Sequence, residues 1–368
     1  MSELVDPKKV PVLPPLGPSF LALDDAARWA HEQIGNRRDR EYGGVILKQG
    51  DRYFATTPVV GSTMTYDHGD ILARNANHLF VTPAGFTGAA FYHSHPKQAA
   101  PGFTAQQLKL INSFFPTGPD IQHRSPLLCP GPLFVRARWV DDQVCLQRFG
   151  ARASTADAVA RQSASSPHGY FESRIHQLAA VGELWVLVPN APWGSKRGLV
   201  TQHWLLGKPV EPEPRPQPFF TPLFDKTSDA IASVLSDLPP NLANRRWGVV
   251  LKHVGEKAYA ASLPVVEGAA LPLPESHFAR DAQGVAQLPL RYQLDGIYLS
   301  SSTPEKLPVK EPRLYRNFFL RQNWLRASRS QDAALPSLLR RVISRSIGPP
   351  VTALYCSTDV RAMTLKPA

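Results

Sequence analysis

The chain has 368 residues and a formal net charge of +11, from 41 Lys and Arg against 30 Asp and Glu side chains. Its hydrophobic content of 43% is enough to build folded cores, which excludes a mostly disordered protein. No apolar run reaches the ~20 residues that a membrane-spanning helix needs, and the first residues lack the apolar stretch of a secretory signal. The three cysteines are odd in number and far apart. We therefore expect a reducing, cytoplasmic location without a disulfide framework, while export by a route that needs no signal peptide stays open.

The length favours two domains, because a single hydrophobic core rarely serves so many residues. The best boundary is the segment 211–222 (EPEPRPQPFFTP), whose alternating prolines predict a semi-rigid, polyproline-like linker. The predicted organisation is an extended, proline-rich tail (1–16), a first domain (17–150), a connector that ends in the linker (151–222) and a second domain (223–368).

Local signals predict a helix followed by strands in the first domain. The helix begins at Leu23, where Asp24 and Asp25 occupy the first turn and alanines follow, and it ends near Gly35. Apolar runs between turn residues then predict strands, and Thr104 is a suitable N-cap for a second helix. After the first helix, the predicted elements are a hairpin (42–48 and 53–57), a strand (88–92), a helix (104–115) and a second hairpin (133–139 and 143–149).

The second domain looks like a copy of the first at a nearly constant offset. The segment 244–252 repeats the pattern of 40–48, and 264–266 repeats 58–60. A helix predicted at 229–235 precedes them, as a helix does in the first domain. This common order predicts a duplication, although Val, Ile and Leu runs that recur in any sheet are the alternative explanation. We therefore predict an α+β protein with two similar domains.

The strongest chemical signal is the pair His93 and His95 at the end of an apolar strand. Residues i and i+2 of a strand project to the same side, so the two imidazoles can converge on one point. Neutral imidazole suits a zinc ion, and a catalytic zinc usually has three protein ligands and one open position. A third ligand is expected from the next helix, where position 107 lies one turn inside.

The segment 93–96 (His-Ser-His-Pro), followed by seven residues and then Thr104 and Gln107, resembles the motif of the JAMM (also called MPN or JAB) metallopeptidases. That motif is His-X-His-Pro, seven residues, Ser-X-X-Asp, with a glutamate on an earlier strand, here Glu41. The likeness covers residues 20–149 and is closest to a bacterial branch found in polymorphic-toxin proteins. It implies tandem JAMM/MPN-like domains, each a curled mixed β-sheet flanked by helices.

The resemblance also implies a role for each matching residue. The two zinc-binding histidines of the motif fall on His93 and His95. Its glutamate, the general base toward a zinc-bound water, falls on Glu41, and its serine, which helps to hold the oxyanion, falls on Thr104. Its aspartate, the third zinc ligand, falls on Gln107, where a neutral amide removes one negative charge from the site.

Three interpretations of Gln107 stay open. It holds the metal weakly with the help of water, or a carboxylate from a loop replaces the aspartate, or the domain has lost its metal and has become a binding module. The candidate carboxylates are those of Asp67, Asp70 and Asp120. The joint presence of the other motif residues favours a metal site that is at least partly active.

The second domain is expected to be a degenerate copy without a metal site. We align it with the first by matching Pro304 to Pro96. Ser301 and Thr303 then occupy the two histidine positions, and Arg245 occupies the position of the glutamate. These side chains cannot bind zinc in the same manner.

Two classes of function compete. The first is a zinc-dependent hydrolase of peptide or isopeptide bonds, with a protein or peptide substrate and with the second domain paired to the first. The alternative is a catalytically inactive JAMM-like binding or adaptor protein of a bacterial toxin or secretion system. A nucleic-acid partner is the weakest hypothesis, because the basic stretch 306–345 lacks an accompanying binding motif and is better explained as a solvated helix face.

Overall fold

The computed structural model confirms the predicted α+β class, because the described elements are antiparallel strands with few helices. The chain divides into two compact units, Met1–Glu213 and Pro214–Ala368. The structure describes the following residues: 11–35, 37, 39–62, 66–76, 80–94, 126–128, 134–138, 176, 179, 183–187, 197–205, 208–209, 211–212, 218–236, 246–266, 278, 287–301, 342–346 and 352–357.

The first sheet of the first unit carries the predicted hairpin. Helix α1 (Leu23–Ile34) precedes it and ends as predicted at Gly35, whose φ of +61° is a conformation that favours glycine. The sheet has the order β1-β3-β2-β4, and β5 pairs with β2. Its strands are β1 (Leu16–Phe20), β2 (Tyr42–Gln49), β3 (Arg52–Thr56), β4 (Val59–Val60) and β5 (Thr87–His93).

The two faces of this sheet carry different residues, because side chains alternate along β2. On one face, Val45 and Leu47 pack with Ile71 and Leu72, which follow a short 3₁₀ helix, His68–Asp70. The other face carries Gly44, Ile46 and Tyr92. Helix α1 also packs on this sheet and buries the alanines at 26, 27 and 30.

A second sheet of the first unit joins strands from both sides of residue 150. Its order is β10-β9-β8-β7-β6, with all pairs antiparallel. The connector predicted at 151–222 therefore contributes strands to the first unit, because β8 pairs with β7, β9 pairs with β8 and β10 pairs with β9. The predicted hairpin partner of β7, at 143–149, lies outside the described residues. The strands are β6 (Pro126–Leu128), β7 (Phe134–Arg138), β8 (Glu183–Val186), β9 (Gly198–Val200) and β10 (Glu211–Pro212).

Described residues of the predicted tail and linker take part in the folded units. In the tail, Leu13 packs against the core cluster, and the carbonyl of Pro15 accepts a hydrogen bond of 2.8 Å from the amide of Thr57. In the linker, Phe220 is buried and forms a β-bridge with Ser262. Where they are described, both segments lie beside paired backbone, and proline is tolerated at the edge of a sheet.

The second unit repeats the sheet of the first. Helix α2 precedes β11, which pairs with β12, β13 and β14, as β2 pairs with β3, β4 and β5. Each central strand shows an irregular register toward its long neighbour at the same place, Ile46/Leu47 in β2 and Val250/Leu251 in β11. The elements are α2 (Thr227–Ser236), β11 (Arg246–His253), β12 (Tyr259–Ala261), β13 (Val265–Val266), β14 (Tyr292–Ser301), β15 (Val342–Ser346) and β16 (Thr352–Ser357).

A buried tyrosine is hydrogen-bonded to a neighbouring strand of the first sheet, in an arrangement that we call the brace. The Tyr92 hydroxyl donates to the carbonyl of Thr56 at 2.5 Å, while the Thr56 hydroxyl accepts from the amide of Val45 at 3.1 Å. These bonds lie where the backbone turns from β3 to β4, beside the glycine at 44. Burial raises the pKa of the Tyr92 hydroxyl, so it stays neutral and serves as a donor.

The second unit contains the same brace at corresponding positions. The Tyr298 hydroxyl donates to the carbonyl of Ser262 at 2.6 Å, and the Ser262 hydroxyl accepts from the amide of Val249 at 3.0 Å. Burial raises the pKa of Tyr298 as well. A shared hydrogen-bonded detail of this kind is what a duplication predicts, and it is harder to obtain from convergent strand patterns alone.

Tyr92→Phe and Tyr298→Phe are each expected to destabilise only the unit that contains the change. The hydroxyl is lost and a buried carbonyl loses its donor, which costs about 1–3 kcal/mol. Hydrogen-exchange mass spectrometry of the full chain measures this unit by unit, and Tyr53→Phe, on a partly exposed strand, is the control. Equal protection in the wild type and both variants would show that the brace contributes nothing to stability.

Candidate metal centre

The predicted site residues divide between the part of the chain that the structure describes and the part outside it. Glu41 and His93 are described, whereas His95, Thr104 and Gln107 lie outside the described residues. The helix predicted at 104–115, which would carry two of these, lies outside them too. The described part of the candidate site therefore consists of residues at the start of β2 and at the end of β5.

The end of β5 is tied to the start of β2. His93 pairs with Gly43 across the two strands, and Ser94 makes two hydrogen bonds with Tyr42. The amide of Ser94 donates to the Tyr42 carbonyl at 2.7 Å, and its hydroxyl accepts from the Tyr42 amide at 3.1 Å. Ser94 is only 1% exposed. The residue between the two motif histidines thus has a structural role that the sequence analysis missed, because only the strand register reveals its partner.

Glu41 continues the ladder of β2 by one residue. Its amide donates to the carbonyl of Ser62 at 3.0 Å, and its carbonyl accepts from the amide of Gly61 at 2.8 Å. Side chains alternate along this extended segment, so Glu41 lies on the same face as Gly43, and hence on the face of His93. Glu41 and His93 are therefore diagonal neighbours on adjacent strands, and the Cα atoms of such neighbours are typically roughly 7–8 Å apart.

Tyr66 covers the glycine opposite His93. A Cβ atom on Gly43 would lie 2.6 Å from the Tyr66 ring, so the ring occupies the space that a side chain would fill. Burial raises the pKa of the Tyr66 hydroxyl well above its ordinary value and keeps it neutral. The absence of a side chain at Gly43 therefore lets an aromatic wall form beside His93.

His68 lies within an aromatic cluster formed by Tyr66, Phe80 and Phe91. Its ring centre is 4.9 Å from that of Tyr66, 6.2 Å from that of Phe80 and 4.0 Å from that of Phe91. It is also 6.5 Å from the ring centre of His93, with the two ring planes at 82°. In the sequence, no motif spacing connects His68 with the histidine pair, and scattered histidines of this kind are expected to be mostly surface or structural residues.

The 3₁₀ helix sets the position of His68. The Asp67 side chain accepts a hydrogen bond from the amide of Gly69 at 2.7 Å, and the His68 carbonyl accepts from the amides of Ile71 and Leu72. Both carboxylates predicted as replacement ligands in this segment, Asp67 and Asp70, are exposed. Asp67 caps the turn with its side chain. Asp120, the third candidate, lies outside the described residues.

Charged residues before Glu41 interact with one another. The Asp39 carboxylate accepts from Arg40 at 2.7 Å and from the Tyr42 hydroxyl at 2.8 Å. These bonds, the one from Arg40 foremost, lower the pKa of Asp39, while the Asp39 bond raises the pKa of Tyr42. The Arg37 guanidinium lies 4.3 Å from the centre of the Tyr42 ring. Together these contacts order the segment that leads into β2.

The donor types at this sheet end suit zinc, which takes imidazole nitrogen and carboxylate oxygen. Two imidazoles, His68 and His93, lie close together, and Glu41 lies on the same face as His93. Among the described residues, no group of three or more His, Cys, Asp or Glu side chains is arranged to hold a metal ion. A complete ligand set thus requires a further donor, and His95 and Gln107 are the predicted ones.

The corresponding position in the second unit lacks an imidazole. Trp247 of β11 pairs with Leu299 of β14, as Gly43 pairs with His93. The predicted alignment, which put Ser301 at the position of His93, is wrong by two residues. It was based on matching two prolines in the sequence, whereas the backbone register fixes the equivalence.

Comparison of the chain with protein-family profiles, curated proteins and solved structures finds no match. In the part of the chain that is described, no helix combines the length and apolar character needed to cross a membrane.

Proposed function

We propose that the chain is a zinc-dependent hydrolase of peptide or isopeptide bonds, built from tandem JAMM/MPN-like domains of which the second is degenerate. His93 and His95 would hold the zinc, with Gln107 at the position of the usual aspartate. The observation that carries the proposal is the pairing of Gly43 with His93, from which side-chain alternation puts Glu41 and His93 on one face of the sheet. A carboxylate on the opposite face would be unable to serve a metal held by His93.

Bound zinc would supply a water of lowered pKa and a positive charge that polarises the scissile carbonyl. The Glu41 carboxylate accepts the proton of the attacking water and passes it to the leaving amine. The Thr104 hydroxyl donates a hydrogen bond to the oxygen that gains negative charge during the attack. The Tyr42–Ser94 hydrogen bonds hold the two strand ends together, so that the carboxylate and the imidazole stay at a fixed separation.

His93→Ala is expected to abolish zinc binding and hydrolysis together. Loss of one imidazole leaves the site short of a ligand, because an amide at Gln107 is a poor zinc donor. Zinc content of the purified full chain is measured by atomic spectroscopy, and hydrolysis is measured on peptide-linked and isopeptide-linked substrates. His203→Ala, at an exposed histidine of the same unit, is the control. Wild-type protein without stoichiometric zinc, unchanged by the His93 substitution, would remove the enzyme hypothesis.

The second candidate is a catalytically inactive binding or adaptor protein of a bacterial toxin or secretion system. It is favoured by the neutral Gln107 and by the second unit, where Leu299 stands opposite Trp247. The second unit keeps this sheet without a histidine at the position of His93. The first unit can therefore also keep its fold without binding a metal. This hypothesis predicts that Glu41→Gln leaves the biological activity unchanged.

A further inference from the structure

We propose that one end of the second unit's sheet binds the surface of anionic lipid membranes. The site, which we call the tip, consists of Val254, Lys257, Leu290 and Arg291. It lies wholly within the second unit, and the inference does not depend on whether the first unit binds zinc or hydrolyses a substrate.

The tip is formed by two turns at the same end of the sheet. One turn (254–257) joins β11 to β12, and the other (289–291) leads into β14. The amide of Val254 donates to the carbonyl of Arg291 at 2.7 Å, which holds the two turns side by side. Val254 is 56% exposed and Leu290 is 83% exposed. Two apolar side chains therefore meet solvent at this end of the sheet.

The first unit has the same turn with different residues. The turns are 83–86 (Pro-Ala-Gly-Phe) and 289–292 (Pro-Leu-Arg-Tyr), and each leads into the long neighbour of the central strand. In each β-turn the amide of the fourth residue donates to the carbonyl of the first, at 3.0 Å in the first unit and 3.1 Å in the second. Leu290 and Arg291 thus stand where the first unit has alanine and glycine, so the turn itself needs neither.

Arg291 adopts a backbone conformation that suits glycine better. Its φ is +63°, and the corresponding Gly85 has a φ of +81°. Among the described residues, Arg291 is the only residue other than glycine with a positive φ. A side chain in this conformation costs free energy that glycine avoids, because its Cβ atom lies too close to the backbone. Strain of this kind is found at functional positions, which points to a role for the Arg291 side chain outside the fold.

The tip combines the two chemistries that an anionic membrane surface accepts. Its two apolar side chains suit the boundary of the hydrocarbon region, and its two exposed cations suit the phosphates of anionic headgroups. One carboxylate lies in the same turn, that of Glu256, and it is 3.3 Å from Nδ1 of His253. The exposed charge of the two turns therefore remains positive.

A lipid surface fits the tip better than a protein partner because of size. A stable protein–protein interface usually involves about 20–30 residues and roughly 800 Å² on each partner. The tip consists of two short turns and is too small to supply such an interface alone. A membrane also attracts the rest of the chain, since the net charge of +11 favours any anionic surface. The tip then adds the insertion of apolar side chains to this attraction.

The experiment measures cosedimentation of the full chain with vesicles of phosphatidylcholine alone and of phosphatidylcholine and phosphatidylserine in equal parts. The wild type is expected to bind the mixed vesicles and to bind pure phosphatidylcholine much more weakly. Leu290→Ala is expected to weaken binding to the mixed vesicles by about tenfold, because a buried leucine side chain contributes at least that factor. Arg291→Gly is expected to weaken it by about fivefold, the contribution of one cation near the surface.

Two exposed residues of the first unit supply matched controls. Val81→Ala removes an apolar side chain that is 48% exposed, and Lys208→Ala removes an exposed cation. Both variants are expected to bind like the wild type. Arg291→Gly is also expected to increase the amide protection of the second unit in hydrogen exchange, because glycine relieves the strain. Arg291→Gln removes the charge and keeps a side chain, so it is expected to weaken binding without that increase.

Two results would overturn the proposal. If Leu290→Ala and Arg291→Gly bound the mixed vesicles as tightly as the wild type, adsorption would be due to charge elsewhere in the chain. If the wild type failed to bind the mixed vesicles, the lipid surface would be excluded, and an acidic protein would become the partner to test against the same side chains.

Discussion

Glu41→Gln is expected to lower hydrolysis by about 10²- to 10⁴-fold, the usual contribution of a general base, while zinc content stays at the wild-type level. Glutamine has nearly the shape of glutamate but cannot accept the proton of the attacking water. The backbone bonds of Glu41 to Gly61 and Ser62 do not involve its side chain, so the strand end keeps its form. The measurements are initial hydrolysis rates at saturating substrate and zinc content on the same preparations.

Glu32→Gln is the matched control, because Glu32 is an exposed carboxylate on α1 of the same unit. Its rate is expected to equal that of the wild type. A Glu41→Gln protein that retains both zinc and full activity would assign the base to another group. If the Glu41→Gln protein instead lost zinc, Glu41 would be assigned as a metal ligand.

Gly44→Ala and Gly248→Ala are each expected to destabilise their own unit by about 1–3 kcal/mol or more, the cost of overpacking a filled interior. A Cβ atom on Gly44 would collide with the hydroxyls of Tyr92 and Thr56, and one on Gly248 would collide with Tyr298. These side chains cannot easily retreat, because they are buried and their hydroxyls hydrogen-bond to the backbone.

Hydrogen-exchange mass spectrometry again separates the two units, which a single melting curve of a two-unit chain does not. Gly88→Ala is the control, because its Cβ would meet its nearest neighbour, a methyl group of Thr82, at an ordinary 3.6 Å. Its effect is expected to stay within about 0.5 kcal/mol. If Gly44→Ala and Gly88→Ala had equal effects, the close packing around the buried tyrosine would be of no consequence for stability.

Much of the first sheet could be predicted because its signals are local. Acidic residues and alanines mark α1, Gly35 ends it, and Gly50, with a φ of +60°, closes the hairpin between β2 and β3. The strand before His93 is a continuous apolar run. In each of these cases the deciding residues lie within a few positions of the element that they define.

The features that escaped prediction depend on contacts between distant segments. Ser94 interacts with Tyr42, which is 52 positions away, and His68 meets His93 only because the sheet brings their segments together. The alignment of the second unit failed for the same reason, since Leu299 is identified by its partner in β11 and not by a nearby proline. Of the candidate site, the sequence could place Glu41 and His93 at the ends of strands but could not reveal that His68 lies near them.

The paired hydrogen bonds between Tyr42 and Ser94 have a thermodynamic consequence for any ligand of this sheet end. They immobilise the backbone next to His93 when the protein folds, so this part of the conformational entropy is already lost before a ligand arrives. An ion or a substrate then meets a preorganised imidazole, and its affinity is not reduced by the need to order that strand end. Binding at such a place should leave the backbone amide protection of residues 42 and 94 almost unchanged.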